Sequence, residues 1–515
     1  MKKGFTTIEL MIAMAIMVMV LSAVVVVAFG NQSFLIGAQT NAEAMNKAQE
    51  LLETQQALAR KDFNLVNNVS STTDDIYEKA VYVRLLPDFL TKEVKALISW
   101  QGERGLKREL ELTTLIANFE TPVGGNTCNS NLSGDWANPS IENSITNFAT
   151  LVGNPGGTYT LSDVDAYKGK LYVTAINTAN PTDQNFFIFD IANTSDPDFL
   201  SGLDNENGGG TTAVGLSAVR VAEDPASSPV KTYAYAANGY NASYSTCNPV
   251  TRRNCGQLNI FDVTDSSNPV WGTNLMLASS TAPFVTGPQA SGNSLYYKNG
   301  YLLLGLNSTG SGNGPEFHLI DVHNPDDLFG GSHLLFPVGT YAVNNTVNAI
   351  VMRGIYAYIA TPNSQELQIL DMTNPSSIVV SGNYGAGNGN GKSLHIVGNN
   401  VYLGRTTGAG TDIQILDNTN PTVTLPLLGG IDIEPPTNSV NAVIVRDYLS
   451  FLLTNSGLRI YNTSNPASPA LISSYALPQS GSATEPSMDC EDNRLYVISN
   501  DGIGRGFLYV IKPGP

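Results

Sequence analysis

The sequence predicts a long N-terminal α-helix whose first half is transmembrane, a small β-hairpin region behind it, and then an all-β seven-bladed propeller. Three observations predict this. Residues 5–29 are apolar almost without interruption, enough for a helix that crosses a bilayer. Residues 30–59 contain no proline and are rich in Ala, Gln, Glu and Leu, so the helix continues to about Ala59 with an amphipathic second half. From residue 144 onward the chain repeats one unit of strands and turns to its end.

Composition agrees with a chain of more than one domain. Its 515 residues are 42% hydrophobic and only 14% charged, enough for sizeable buried cores. The net charge of -17 argues against a basic nucleic-acid surface, so no nucleic-acid partner is expected. The 48 Gly, 27 Pro and 22 Tyr suit an all-β protein with many turns.

Taken in order, residues 1–4 form a short basic leader, and the opening "KKGFTTIEL" holds a glutamate, Glu9, inside an otherwise apolar run. An isolated carboxylate there is costly and calls for a compensating partner. The stretch resembles the leader junction of type IV prepilins and pseudopilins. That resemblance implies cleavage by a prepilin peptidase after Gly4, methylation of the new amino terminus at Phe5, and an assembly role for Glu9. In a filament the Glu9 carboxylate would pair with the Phe5 ammonium of a neighbouring subunit, offsetting its burial. Many family members carry a helix-kinking proline in the middle of the apolar run; this chain has none there.

Residues 60–120 read as a small β region. Alternation from Val94 to Trp100, a turn over residues 101–105 and a second run from Leu106 to Leu115 form a hairpin that packs on the amphipathic half of the helix. The phrase "ISWQGERGLKRELELTTLIANFE" resembles the short sheet of minor pilins. Residues 121–143, rich in Gly, Asn, Ser and Pro, read as a linker.

Residues 144–515 carry the repeat. The segments "FFIFDIANTSDP", "LNIFDVTDSSNP", "FHLIDVHNP", "LQILDMTNP", "IQILDNTNP" and "LRIYNTSNP" each end a strand in Asp190, Asp262, Asp321, Asp371, Asp417 or Asn462 and then reach a proline. The Asp or Asn side chain is expected to cap the following amides in an Asx turn, and the proline to stop ladder pairing. Further strands lie upstream of each, and four per unit at a period of roughly 45 residues or more give propeller blades. The repeats resemble those of LVIVD-type propellers. The seventh copy, at the C terminus, lacks its last strand; residues 144–154, "SITNFATLVGN", are expected to supply it and close the ring.

Four cysteines are compatible with two disulfides in an exported protein: Cys247 with Cys255 as a stapled loop, leaving Cys128 with Cys490. Four reduced structural thiols are the alternative. No zinc spacing, nucleophile elbow, phosphate loop or calcium-binding helix-loop-helix is present, and His318, His323, His333 and His395 show no metal spacing, so no catalytic or metal residue is assigned. No cofactor is expected; calcium at residues 204–210 or 499–504 is weighed against plain turns, which those segments fit better. In the stapled loop, Tyr240, Tyr244, Arg252 and Arg253 are ligand-binding candidates, because Tyr and Arg dominate binding hot spots; a solvated loop is the competing reading.

The pilin resemblance implies a minor subunit anchored in the inner membrane before assembly and then displayed on a pilus at the cell surface. Its partners would be other pilin subunits, the prepilin peptidase, the membrane and an extracellular ligand or surface. No enzymatic activity is expected. A pseudopilin of a type II-like secretion system that contacts cargo and a membrane-anchored propeller enzyme are the alternatives.

Overall fold

The computed structural model describes residues 7–61, 66–85, 91–101, 106–117, 132–176, 184–204, 215–224, 227, 229–239, 256–277, 290–308, 314–328, 334–387, 391–406, 411–433, 439–477, 487–501 and 503–514. The chain divides into two compact units, Met1–Phe119 and Glu120–Pro515.

In the first unit, helix α1 spans Thr7–Lys61, 55 residues. The expected bilayer crossing over residues 5–29 is corrected: among the described residues, no helix is long and apolar enough to cross a membrane. The continuous run of helix with described, exposed side chains is residues 11–27.

The second half of α1 is built to pack. Ala44, Ala48 and Gln55 are buried and Leu51 and Leu52 partly so, a stripe at three- and four-residue spacing. It covers a four-stranded antiparallel sheet, β1 (Val69–Asp74), β2 (Tyr77–Leu85), β3 (Thr91–Gln101) and β4 (Lys107–Ala117), where a single hairpin was expected. Tyr77, Val81, Val94, Ala96, Ile98 and Trp100 point from the sheet into this core. The Tyr77 hydroxyl donates to the Thr40 carbonyl on the helix (3.1 Å), and Asp74 receives Lys47 Nζ (2.8 Å) and Lys79 Nζ (2.7 Å). These two ammonium groups hold the Asp74 carboxyl down at about 2.

The second unit opens with β5 (Asp135–Ile145) and a single helical turn, α2 (Phe148–Leu151). Seven antiparallel blades follow. Blade one is β6 (Thr160–Tyr167), β7 (Lys170–Ile176), β8 (Phe186–Asp190) and β9 (Asp198–Leu203). Blade two is β10 (Leu216–Asp224), β11 (Lys231–Asn238), β12 (Leu258–Asp262) and β13 (Val270–Leu277). Blade three is β14 (Gly292–Lys298), β15 (Tyr301–Leu306), β16 (Phe317–Asp321) and, after the short β17 (Leu334–Leu335) that extends blade two in parallel, β18 (Gly339–Tyr341). Blade four is β19 (Ala349–Arg353), β20 (Tyr356–Ala360), β21 (Leu367–Asp371) and β22 (Val379–Tyr384). Blade five is β23 (Gly391–Val397), β24 (Asn400–Arg405), β25 (Ile413–Asp417) and β26 (Leu427–Ile431). Blade six is β27 (Val440–Arg446), β28 (Leu449–Thr454), β29 (Gly457–Asn462) and β30 (Ala470–Tyr475). Blade seven is β31 (Ser487–Glu491), β32 (Arg494–Asn500) and β33 (Gly506–Gly514), completed by β5.

The first strands form a closed circle, β6 beside β10, then β14, β19, β23, β27 and β31, which returns to β6. A ring of four-stranded sheets around their innermost strands is a β-propeller. The strand-end residues do what their chemistry suggests. Asp190, Asp262, Asp321, Asp371, Asp417 and Asn462 each accept, through Oδ1, the N–H two residues on at 2.8–3.0 Å. Pro325 and Pro375 each open a 3-10 turn behind such a cap.

The closing strand is a second correction. It lies at Asp135–Ile145, mostly inside the expected linker, and takes in only Ser144 and Ile145 of the expected residues 144–154, which otherwise hold α2. β5 pairs antiparallel with β33, Ile145 opposite Leu508 and Asp135 opposite Gly514. Glu142 on β5 fastens the seam, accepting from Arg494 Nε (2.6 Å) on β32 and Lys512 Nζ (3.2 Å) on β33. The Arg494 hydrogen bond is the largest influence holding its carboxyl down at about 2.

Candidate functional site: the central channel

Each innermost strand carries a polar residue at or next to its start: Ser162, Ser217, Asn293, Asn348, Lys392, Asn441 and Ser487. In β6, β10, β14, β23 and β27 this residue is the bulged one, skipped by the register with the second strand. A bulge re-aims the side chain. All seven are half-buried and line one cavity of about 440 Å³ in the channel.

Most of these side chains also stitch one blade to the next. Ser162 Oγ donates to the Leu216 carbonyl, Ser217 Oγ to Gly292 O (2.7 Å), Asn293 Nδ2 to Val347 O (2.9 Å) and Asn348 Nδ2 to Gly391 O (2.7 Å). Ser487 Oγ closes the circle on Asp163 Oδ1 (2.7 Å). Each hydrogen bond contributes ~1 kcal/mol to holding adjacent blades together.

The channel wall at blades seven, one and two is charged. Asp489 Oδ2 accepts Ala166 N–H (2.6 Å), Asp165 Oδ2 accepts Val221 N–H (2.8 Å), and Asp163 Oδ2 accepts both Val219 N–H (3.0 Å) and Arg220 Nη1 (2.9 Å). These carboxyls thus fasten inner strands to one another. Burial pushes both Asp165 and Asp489 well up from the ordinary carboxylate range, and for Asp165 the nearby Asp489 charge adds to it. Burial alone would lower Arg220, but the charges of Asp163, Asp165 and Asp489 reverse that and keep it protonated. On blade five, burial holds the Lys392 ammonium down at about 8 and the His395 imidazole down at about 4.

The residues singled out from sequence lie mostly elsewhere. Gly4, Phe5, Cys128, Tyr240, Tyr244, Cys247, Arg252, Arg253 and Cys255 fall outside the described residues, as does the side chain of Glu9. Cys490 lies in β31, fully buried and disulfide-bonded, its partner being outside the described residues. Of the histidines, His318 is buried with Nε2 at 2.9 Å from the Pro315 carbonyl, and His323 Nδ1 contacts the turn residue Asp321 (2.7 Å). In the calcium candidate at residues 499–504, Asp501 accepts Ile503 and Arg505 N–H groups and pairs with Arg505 Nε (2.7 Å), which makes it a turn residue. Among the described residues, no three His, Cys, Asp or Glu side chains are grouped to hold a metal. The channel ring was missed. Its signal is the polar residue near the start of each inner strand, visible once "LSDV", "LSAV", "GNSL", "VNAI", "GKSL", "VNAV" and "PSMD" are set in register.

Two segments of the propeller match a known family model. Residues 346–386 and 453–476 are LVIVD repeats. The first covers blade four, and the second falls on the last strands of blade six. No curated protein matches the sequence. Among solved structures, the extracellular domain of a hybrid two component system from B. thetaiotaomicron is similar at a TM-score of 0.45 and 10% identity, over 87% of this chain and 60% of that one. The extracellular domain of a one component system from the same organism gives a TM-score of 0.45 and 11% identity, over 86% and 64%. The chain therefore spans less than two thirds of either structure's length.

Proposed function

We propose that this chain is a minor type IV pilin-like subunit that carries its propeller as an extracellular binding head and has no catalytic activity of its own. The observation that carries the reading is the exposed apolar stretch of α1 over residues 11–27. Every side chain over residues 11–27 is exposed, including Met11 (71%), Met19 (67%) and Val26 (70%). A helix that is apolar on all sides is one made to be buried. In this reading the cover is the same helix of neighbouring filament subunits, joined after cleavage between Gly4 and Phe5 and held by Glu9 against a neighbouring Phe5 ammonium.

Size supports a minor position. The second unit runs over Glu120–Pro515, and compact-domain scaling gives it a width of ~50 Å. Such a head is too wide for every subunit of a filament whose helices pack side by side, and fits a tip or sparse sites. Glu9→Ala tests the assembly contact. The variant is expected to be made and folded, with incorporation into filaments falling about tenfold or more, because a buried ammonium is left without its partner. Wild-type incorporation on quantitative blots of sheared filaments would contradict the reading.

A further inference from the structure

The asparagines of the channel ring spend their donors on the protein and keep their acceptors. Asn293 and Asn348 each give Nδ2–H to a carbonyl of the next blade, and Asn441 gives its Nδ2 to Asn455 Oδ1 (2.6 Å) and Ser439 O (3.5 Å) within its own blade. In all three, Oδ1 has no hydrogen bond among the described residues, and all three line the cavity of about 440 Å³. Ser217 spends its hydroxyl hydrogen in the same way, on Gly292 O, and has only lone pairs left to offer. Half-buried amide oxygens without a protein partner call for a donor from outside the protein. The formal charges of the lining cancel, Asp163 and Asp489 against Arg220 and Lys392, and Arg220 is itself paired with Asp163 (2.9 Å).

We propose that the central channel binds a neutral polyol of monosaccharide size, whose hydroxyl groups donate to the side-chain carbonyls of Asn293, Asn348 and Asn441. A polyol brings several donors and no net charge, which matches open acceptors in a cavity whose own charges balance. A carboxylate fits less well, because it is acceptor-only and would meet acceptors. An ammonium supplies donors, but it brings a charge into a wall that has no net charge to offset it. The cavity of about 440 Å³ falls in the range of small-molecule sites. The inference rests on the reading of the propeller as a binding head and not on how that head is displayed, so loss of filament incorporation in Glu9→Ala leaves it standing.

The test is calorimetric titration of the detergent-solubilised full chain with D-glucose, D-galactose and D-mannose, and with the uronate of each, as probes. At least one neutral sugar is expected to bind, about fivefold or more tighter than its own uronate. Asn441 makes no hydrogen bond across a blade junction, so its variants probe the cavity without undoing the ring. Asn441→Leu, which removes one acceptor, is expected to weaken binding about fivefold, and Asn441→Trp, which fills the cavity, to abolish it. Thermal melts check that both variants fold. Unchanged affinity in folded Asn441→Trp, or a uronate that binds as tightly as its neutral sugar, would overturn the proposal. So would absence of binding by all three neutral sugars up to about 10 mM, where the channel would be a water-filled seam only.

Discussion

Replacing Arg405 by Met is expected to destabilise the propeller by about 3–5 kcal/mol, the cost of leaving a buried carboxylate without its counter-ion. Arg405 ends β24 on blade five and Glu366 precedes β21 on blade four, and their side chains are 3% and 0% exposed. Nη2 donates to Glu366 Oε1 (3.0 Å), Nε lies 2.8 Å from Oε2, and Nη1 donates to the Thr411 carbonyl (2.6 Å). The pair therefore ties two blades together as well as satisfying itself. Removing both charges is a different matter: Glu366→Met with Arg405→Met is expected to recover most of the loss, since apolar packing can replace a buried pair at little net cost. Chemical denaturation followed by near-ultraviolet circular dichroism measures both. A single Arg405→Met variant as stable as the parent would show that water reaches Glu366.

The second large effect is expected at the closing strand. Trp136 on β5 is 4% exposed and packs edge-on against Phe451, 4.8 Å between centroids, within a cluster that also holds Leu453, Leu495, Phe507 and Ile511. Trp136→Ala should cost ~3–5 kcal/mol, the range for emptying a large aromatic site, and should loosen the seam between blades six and seven before the rest. The indole Nε1 is buried without a hydrogen-bond partner among the described residues. Trp136→Phe should accordingly cost far less, about 1.5 kcal/mol or below, because it keeps most of the packing and removes an unsatisfied donor. Hydrogen exchange on β5 and β33 reads the seam directly; equal protection in the Ala variant would contradict this account.

How much of this was legible in the sequence follows from where the information is local. The blade repeats could be read because Asp371, Asn462 and their equivalents act on amides two residues away, and such short-range chemistry leaves a fixed spacing. The closing strand could not be located this way. Its partner β33 is more than 360 positions distant in the chain, and "DWANPSIENSI" lacks the alternation of a half-buried strand. Pro139 argues against a strand, yet β5 is an outer strand with one ladder partner, and the register shifts where Pro139 falls, so the missing N–H costs nothing. The channel ring was illegible for a related reason. Ser162 or Asn293 at a bulge reads as turn chemistry, and only the ring itself brings seven such positions to one cavity. The apolar opening of the chain was read as a bilayer crossing, whereas among the described residues no helix is long and apolar enough to cross a membrane.

One measurement tests the central claim most directly: immunogold labelling of the propeller on sheared filaments, with intact-mass analysis of the same material. The account predicts label at tips or sparse sites along filaments and a chain that begins at methylated Phe5. Label absent from filaments, on a chain that retains Met1 to Gly4, would contradict it.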